Sequence, residues 1–185
     1  MMKKKAGKNN RGGFTLAETV IALLVVVMVT AVVAAGIPVA AKALRDVVDA
    51  SHAQVLMSTT MTSMRDELSM ATNIQCDEGG RIVYTDSSGV LSELVVKTGG
   101  IYLTKFASPD GSFEGAVTEQ RRLVSDQAAT EGLHESFSEA VFDADKGIVY
   151  IKNLRVCRGT GSEEKELAQL GDVAYEIKVI AQKGV

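Results

Sequence analysis

From Thr19 to Ala41 the chain carries no charged side chain, and 12 of the residues between Val20 and Val39 are Val, Ile or Leu. About 23 residues at a rise of 1.5 Å cover a ~30 Å hydrocarbon core, so the run predicts a membrane-spanning helix. Gly36 and Pro38 interrupt it near its end. Pro38 lacks a backbone donor and crowds the carbonyl four residues earlier, which predicts a kink within 32–38. Beyond this point the apolar positions become one-sided: Met57, Met61, Met64, Leu68 and Ala71 recur at spacings of four, three, four and three. That is an apolar stripe on one helical face, suited to packing on a sheet. A methionine stripe also serves adaptable binding surfaces, but core packing is the plainer reading. The predicted helix extends from Phe14 to about Thr72.

After Asn73 the period shortens to that of strands. RIVYTD and VLSELVVKT flank a Ser-Ser-Gly turn, GGIYLTKFA follows, and FSEAVF leads through DADKG into IVYIKNLRV. In DVAYEIKVIA, Val173, Tyr175, Ile177 and Val179 alternate with Ala174, Glu176 and Lys178, as in a strand half buried against a helix. The polar stretch from Ser108 to Glu135 reads as loop with room for a short helix, and Arg158 to Glu166 as a second projecting loop. The expected fold class is α+β, a long N-terminal transmembrane and assembly helix packed on a C-terminal antiparallel sheet. The boundaries are a basic leader at 1–13, the membrane half of the helix at 14–41, its amphipathic half at 42–72, and a β-sheet domain at 73–185.

Charge sets the orientation. The first thirteen residues carry Lys3, Lys4, Lys5, Lys8 and Arg11 and no acid, whereas Lys42 and Arg45 beyond the apolar run are partly offset by Asp46. Positive charge stays on the cytoplasmic side, which places the remaining chain outside the membrane. Without the leader, Lys and Arg fall from 20 to 15 against 23 acids, so the formal charge goes from -3 to -8. A body that acidic has no general attraction for nucleic acid or anionic lipid.

One acid, Glu18, stands at the entrance of the apolar run, in the segment GFTLAE from Gly13 to Glu18. With the short basic leader and the apolar helix, this segment resembles the prepilin processing signal of the type IV pilin family, which includes the type II secretion and competence pseudopilins. The resemblance covers about the first forty residues and extends more loosely to the architecture of the rest. It implies cleavage after Gly13 by a membrane-embedded prepilin peptidase, N-methylation of Phe14, and Glu18 as the assembly carboxylate. It further implies other pilin or pseudopilin subunits and an inner-membrane assembly platform as partners, and a surface filament as the destination. Physically, Gly13 lets an extended backbone enter a protease cleft. The Phe14 amine of one chain can pair with Glu18 of a staggered neighbour, two charges costly alone in a dry interior, and so set register.

Other chemistry is sparse. His52, on the helix, and His134, in a loop, stand in no metal-ligand spacing, and the chain has no C-x-x-C, P-loop or G-x-S-x-G segment. No catalytic role and no cofactor are expected. Asp143 and Asp145 in DADKG suggest a calcium loop but lack its further acidic ligand, so the segment reads as a hairpin turn. Arg121 and Arg122 read as a solvated loop pair. Cys76 and Cys157 allow one disulfide, with two buried free thiols as the alternative. The resulting expectation is a prepilin-like structural subunit, more in keeping with a minor than a major one. A single-pass, membrane-anchored extracellular binding module is the alternative, and a secreted enzyme the further one.

Overall fold

The computed structural model describes residues 15–77, 79–107, 116–125, 129, 132–159, 161 and 164–181. Gly13 and Phe14 lie outside the described residues. The first element is a helix, α1 (Leu16–Ser69), which passes Gly36 and Pro38 without interruption. The chain divides into two units, Met1–Asp46 and Val47–Val185.

In the first unit every described side chain up to Ala40 is exposed. The helix is long and apolar enough to cross a membrane, with a mean hydropathy of 3.0 over 18 residues and none of that window buried. Where the apolar surface finds no protein partner, lipid or other apolar helices are the environments that would cover it.

In the second unit the stripe is core, as its spacing predicted. Ala53, Leu56, Met57, Thr60, Met64 and Leu68 are the buried residues of α1, Ala71 follows them into the core, and Met61 is half-buried against it. Thr60 is the polar member of the face, and its Oγ1 donates to Leu56 O at 2.8 Å, which satisfies the hydroxyl within the helix. The Tyr175 hydroxyl donates to Met61 O at 2.8 Å, and Ile180 N donates to Ser69 O at 2.7 Å, giving a carbonyl of the last helical turn a partner.

Among the described residues eleven strands form three antiparallel sheets: β1 (Thr72–Cys76), β2 (Ile82–Thr85), β3 (Leu91–Lys97), β4 (Gly100–Ala107) and β5 (Ala116–Arg122) in a meander, β10-β9-β6, and β11-β8-β7. Here β6 is Leu133–Ser136, β7 Glu139–Asp143, β8 Ile148–Lys152, β9 Arg155–Arg158, β10 Lys165–Gln169 and β11 Tyr175–Lys178. The α+β expectation holds, with one sheet resolved into three.

Several boundaries differ from the sequence reading. The polar stretch after Ser108 supplies two strands, β5 and β6, so His134, Arg121 and Arg122 are strand residues rather than loop residues. IVYIKNLRV is not one strand: it breaks at Asn153, whose φ is 52°, and β8 and β9 enter different sheets. Asn tolerates this left-handed conformation better than most side chains. Lys165 and Glu166, expected in a projecting loop, begin β10. Val173 is 71% exposed, outside the alternation that Tyr175, Ile177 and Val179 keep.

The first sheet is fastened to the second by a buried ion pair. Glu135 on β6 accepts from Arg122 Nη2 at 2.7 Å and from Ile101 N at 3.3 Å, while the same Nη2 donates to Leu133 O at 3.2 Å. Gly100 packs against this pair with φ at 141°: a Cβ there would lie 2.6 Å from Arg122 Nε and 2.9 Å from Glu135 Oε1.

Candidate functional site

The start of α1 is built from Thr15 and Glu18. Thr15 N donates to Glu18 Oε2 at 2.9 Å and Thr15 Oγ1 to the same oxygen at 3.0 Å, while Glu18 N donates back to Thr15 Oγ1 at 3.3 Å. This reciprocal pairing is a capping box, which satisfies backbone donors that the first helical turn leaves without partners. The T-x-x-E spacing before an apolar run carries that information, so the carboxylate has a role within its own chain besides any role between chains. Both bonds from Thr15 fall on Oε2, and the residue as a whole is exposed.

Of the two histidines, His52 is half-buried on α1, with Nδ1 buried and without a hydrogen-bond partner; it is not the solvated residue its sequence position suggested. His134 lies on β6 directly opposite Cys157 on β9. Opposed residues of an antiparallel pair share one face, which puts imidazole and thiol side by side. Glu164, just before β10, joins them. His134 Nε2 lies 3.2 Å from Glu164 Oε1, and the Cys157 thiol donates to the Glu164 carboxylate. The ligand atoms of His134, Cys157 and Glu164 all fall within 4.8 Å of one another. Cys157 is buried, His134 half-buried and Glu164 exposed, so the group has a floor and an open side.

The electrostatics follow from that placement. Burial pushes the Cys157 thiol up to about 11, with the hydrogen bond and charge of Glu164 adding to it. The thiol and imidazole in turn hold the Glu164 carboxyl below its usual range. No sequence spacing joins these residues: register pairs His134 with Cys157, and the residue just before β10 adds Glu164.

Cys76 and Cys157 are free thiols. No disulfide joins them in this structure: Cys76 ends β1 in the first sheet, and Cys157 sits on β9 in the second with Glu164 as partner. Burial, with the charge of Asp77, pushes the Cys76 thiol up to about 11 as well, so both are protonated at neutral pH and poor nucleophiles.

Asp143 is the first residue of a tight turn. Its Oδ1 accepts from Lys146 N at 3.1 Å, its Oδ2 pairs with Lys146 Nζ at 2.9 Å, and Gly147 N closes the turn onto Asp143 O at 2.8 Å. The carboxylate is engaged by lysine, which supports the hairpin reading of DADKG over a calcium loop with Asp145. Arg121 pairs with Glu67 on α1 at 3.1 Å and stays exposed, whereas Arg122 is largely buried against Glu135, so both are strand residues and Arg121 keeps the solvated character expected.

No protein-family model, no curated protein and no solved structure matches the chain. The features available to a functional reading are therefore its own: a capped, exposed apolar helix and a β-rich body.

Proposed function

We propose that the chain is a prepilin-like structural subunit, cut after Gly13 and methylated at Phe14 by a prepilin peptidase, then assembled through its helix into a type IV pilus or a secretion or competence pseudopilus. The observation that carries this reading is the segment GFTLAE opening directly onto an apolar helix whose described side chains to Ala40 are all exposed. Apolar surface of that extent, all round the helix, calls for lipid before assembly and for neighbouring helices after it. Glu18 fits both states, since Oε2 caps its own helix and Oε1 remains for a neighbour's amine. The three-sheet body supplies the part that would stand outside the membrane, with its loops available to partners. A minor-subunit role is the form of this proposal we favour, on the polar, idiosyncratic sequence between Ser108 and Glu135.

Two substitutions test it. Gly13→Val should block cleavage, since the side chain obstructs the extended backbone at the scissile bond, and the precursor should accumulate in the membrane. Glu18→Ala should leave insertion and cleavage intact but remove the chain from sheared filaments or crosslinked oligomers. Normal maturation of the first variant, or wild-type incorporation of the second with no wild-type copy present, would favour the plain anchored binding module instead.

A further inference from the structure

We infer that His134, Cys157 and Glu164 form a binding site for one transition-metal dication, with Zn²⁺ the ion that fits the donor set. An imidazole nitrogen, a thiolate and a carboxylate are the three ligand types zinc takes, and three protein ligands leave a fourth position for water. Tetrahedral zinc holds such atoms about 3.3 to 3.6 Å apart. His134 Nε2 and Glu164 Oε1 already stand 3.2 Å apart, and the widest separation in the group is under 4.8 Å. Closing the remainder asks for a movement of about 1 Å. It falls to the His134 and Cys157 side chains, because Glu164 already lies within hydrogen-bond distance of both.

These two ligands are held by sheet register. His134 and Cys157 face each other across β6 and β9, with Leu133–Arg158 and Glu135–Val156 as the adjoining pairs, so neither needs backbone movement to reach a common ion. The charges also match. Thiolate and carboxylate together neutralise a dication, whereas the imidazole adds no charge. Binding forms the metal–sulfur bond and breaks the S–H bond, and the thiol proton passes through the open side to water. Hard cations such as Ca²⁺ and Mg²⁺ are disfavoured, because sulfur and nitrogen make two of the three ligands.

The site is independent of the filament proposal and is tested on the full chain in detergent, without a histidine tag, reduced and stripped by chelator. Titration with Co²⁺ should give one equivalent bound per chain, with a thiolate-to-metal charge-transfer band and the visible bands of a tetrahedral ion, and Zn²⁺ should bleach both. Cys157→Ser should abolish the charge-transfer band, while Cys76→Ser should leave it unchanged. Glu164→Gln, on an exposed side chain that does not test folding, should weaken Zn²⁺ binding at least tenfold, the smallest effect expected for a ligand when outer-shell partners alone cost about 10- to 100-fold. The inference is overturned if the wild-type chain gives no such band at one equivalent, if the band survives Cys157→Ser or disappears with Cys76→Ser, or if Glu164→Gln binds Zn²⁺ as tightly as wild type.

Discussion

Replacing Glu135 with Ala should be among the most damaging changes available in the body of the protein. Its side chain is 0% exposed, and Arg122, its partner at 2.7 Å, is only 12% exposed. Removal takes the carboxylate from beside a largely buried guanidinium and the acceptor from Ile101 N, leaving the Arg122 Nη2 bond to Leu133 O still joining the first two sheets. Breaking one side of a buried pair costs about 3 to 5 kcal/mol. At a urea dependence of about 2 kcal/mol/M, the unfolding midpoint should fall by roughly 1.5 to 2.5 M. Tyrosine fluorescence reads this directly, because the chain has no Trp and its four tyrosines, Tyr84, Tyr102, Tyr150 and Tyr175, all lie in the second unit. Replacing both members of the pair, Arg122→Met with Glu135→Leu, should lose less than Glu135→Ala alone, because no uncompensated charge remains. Glu139→Ala, which removes the exposed partner of Lys152, is the surface control and should cost under about 1 kcal/mol. A midpoint shift for Glu135→Ala no larger than that of the surface control would refute the reasoning.

Gly100→Ala attacks the same fastening from the backbone: the added methyl meets Arg122 Nε at 2.6 Å with φ at 141°, so a loss of about 1 to 3 kcal/mol is expected in the same urea experiment, and wild-type stability would show that the pair yields freely. Asp86 gives a pH signature. Burial works against its ionisation, but donors from Lys105, Val90 and Ser88 outweigh this and hold the carboxyl below its ordinary 3.8, while Asp86 holds the Lys105 ammonium above its ordinary 10.5. The depressed acid contributes stability that is present above 3.8 and lost as pH falls through the folded value; the raised base contributes stability that is present below 10.5 and lost as pH rises through its folded value. Asp86→Asn should therefore flatten the urea midpoint against pH at both ends, and an unchanged profile would remove the pair from the account.

The helix was legible because its signals are long and redundant: an uncharged run from Thr19 to Ala41, then a stripe of Met57, Met64 and Leu68 that becomes core. Strands such as β3 and β4 were legible from apolar runs between glycine turns. β5 was not, since six of the seven residues in AVTEQRR are exposed and no buried face imposes alternation. β6 was hidden by its inward Glu135, a buried acid that only the distant Arg122 makes tolerable. Glu18 is legible as an acid suited to pairing between chains, and Thr15 three residues before it carries the capping signal. His134, Cys157 and Glu164 left no motif because strand pairing brings the first two together and the turn before β10 brings the third, and the two cysteines, which allowed a bond, are free thiols.

The central claim, that GFTLAE is a processing signal at the head of an assembly helix, is tested most directly by the N-terminus of the mature protein recovered from the membrane fraction. Mass spectrometry of the N-terminal peptide should find a chain beginning at Phe14, heavier than the unmodified peptide by one methyl group on its amine. A mature chain that retains Met1, or one that begins near Gly36, would contradict the account: the first would leave a plain anchor, the second a secreted body.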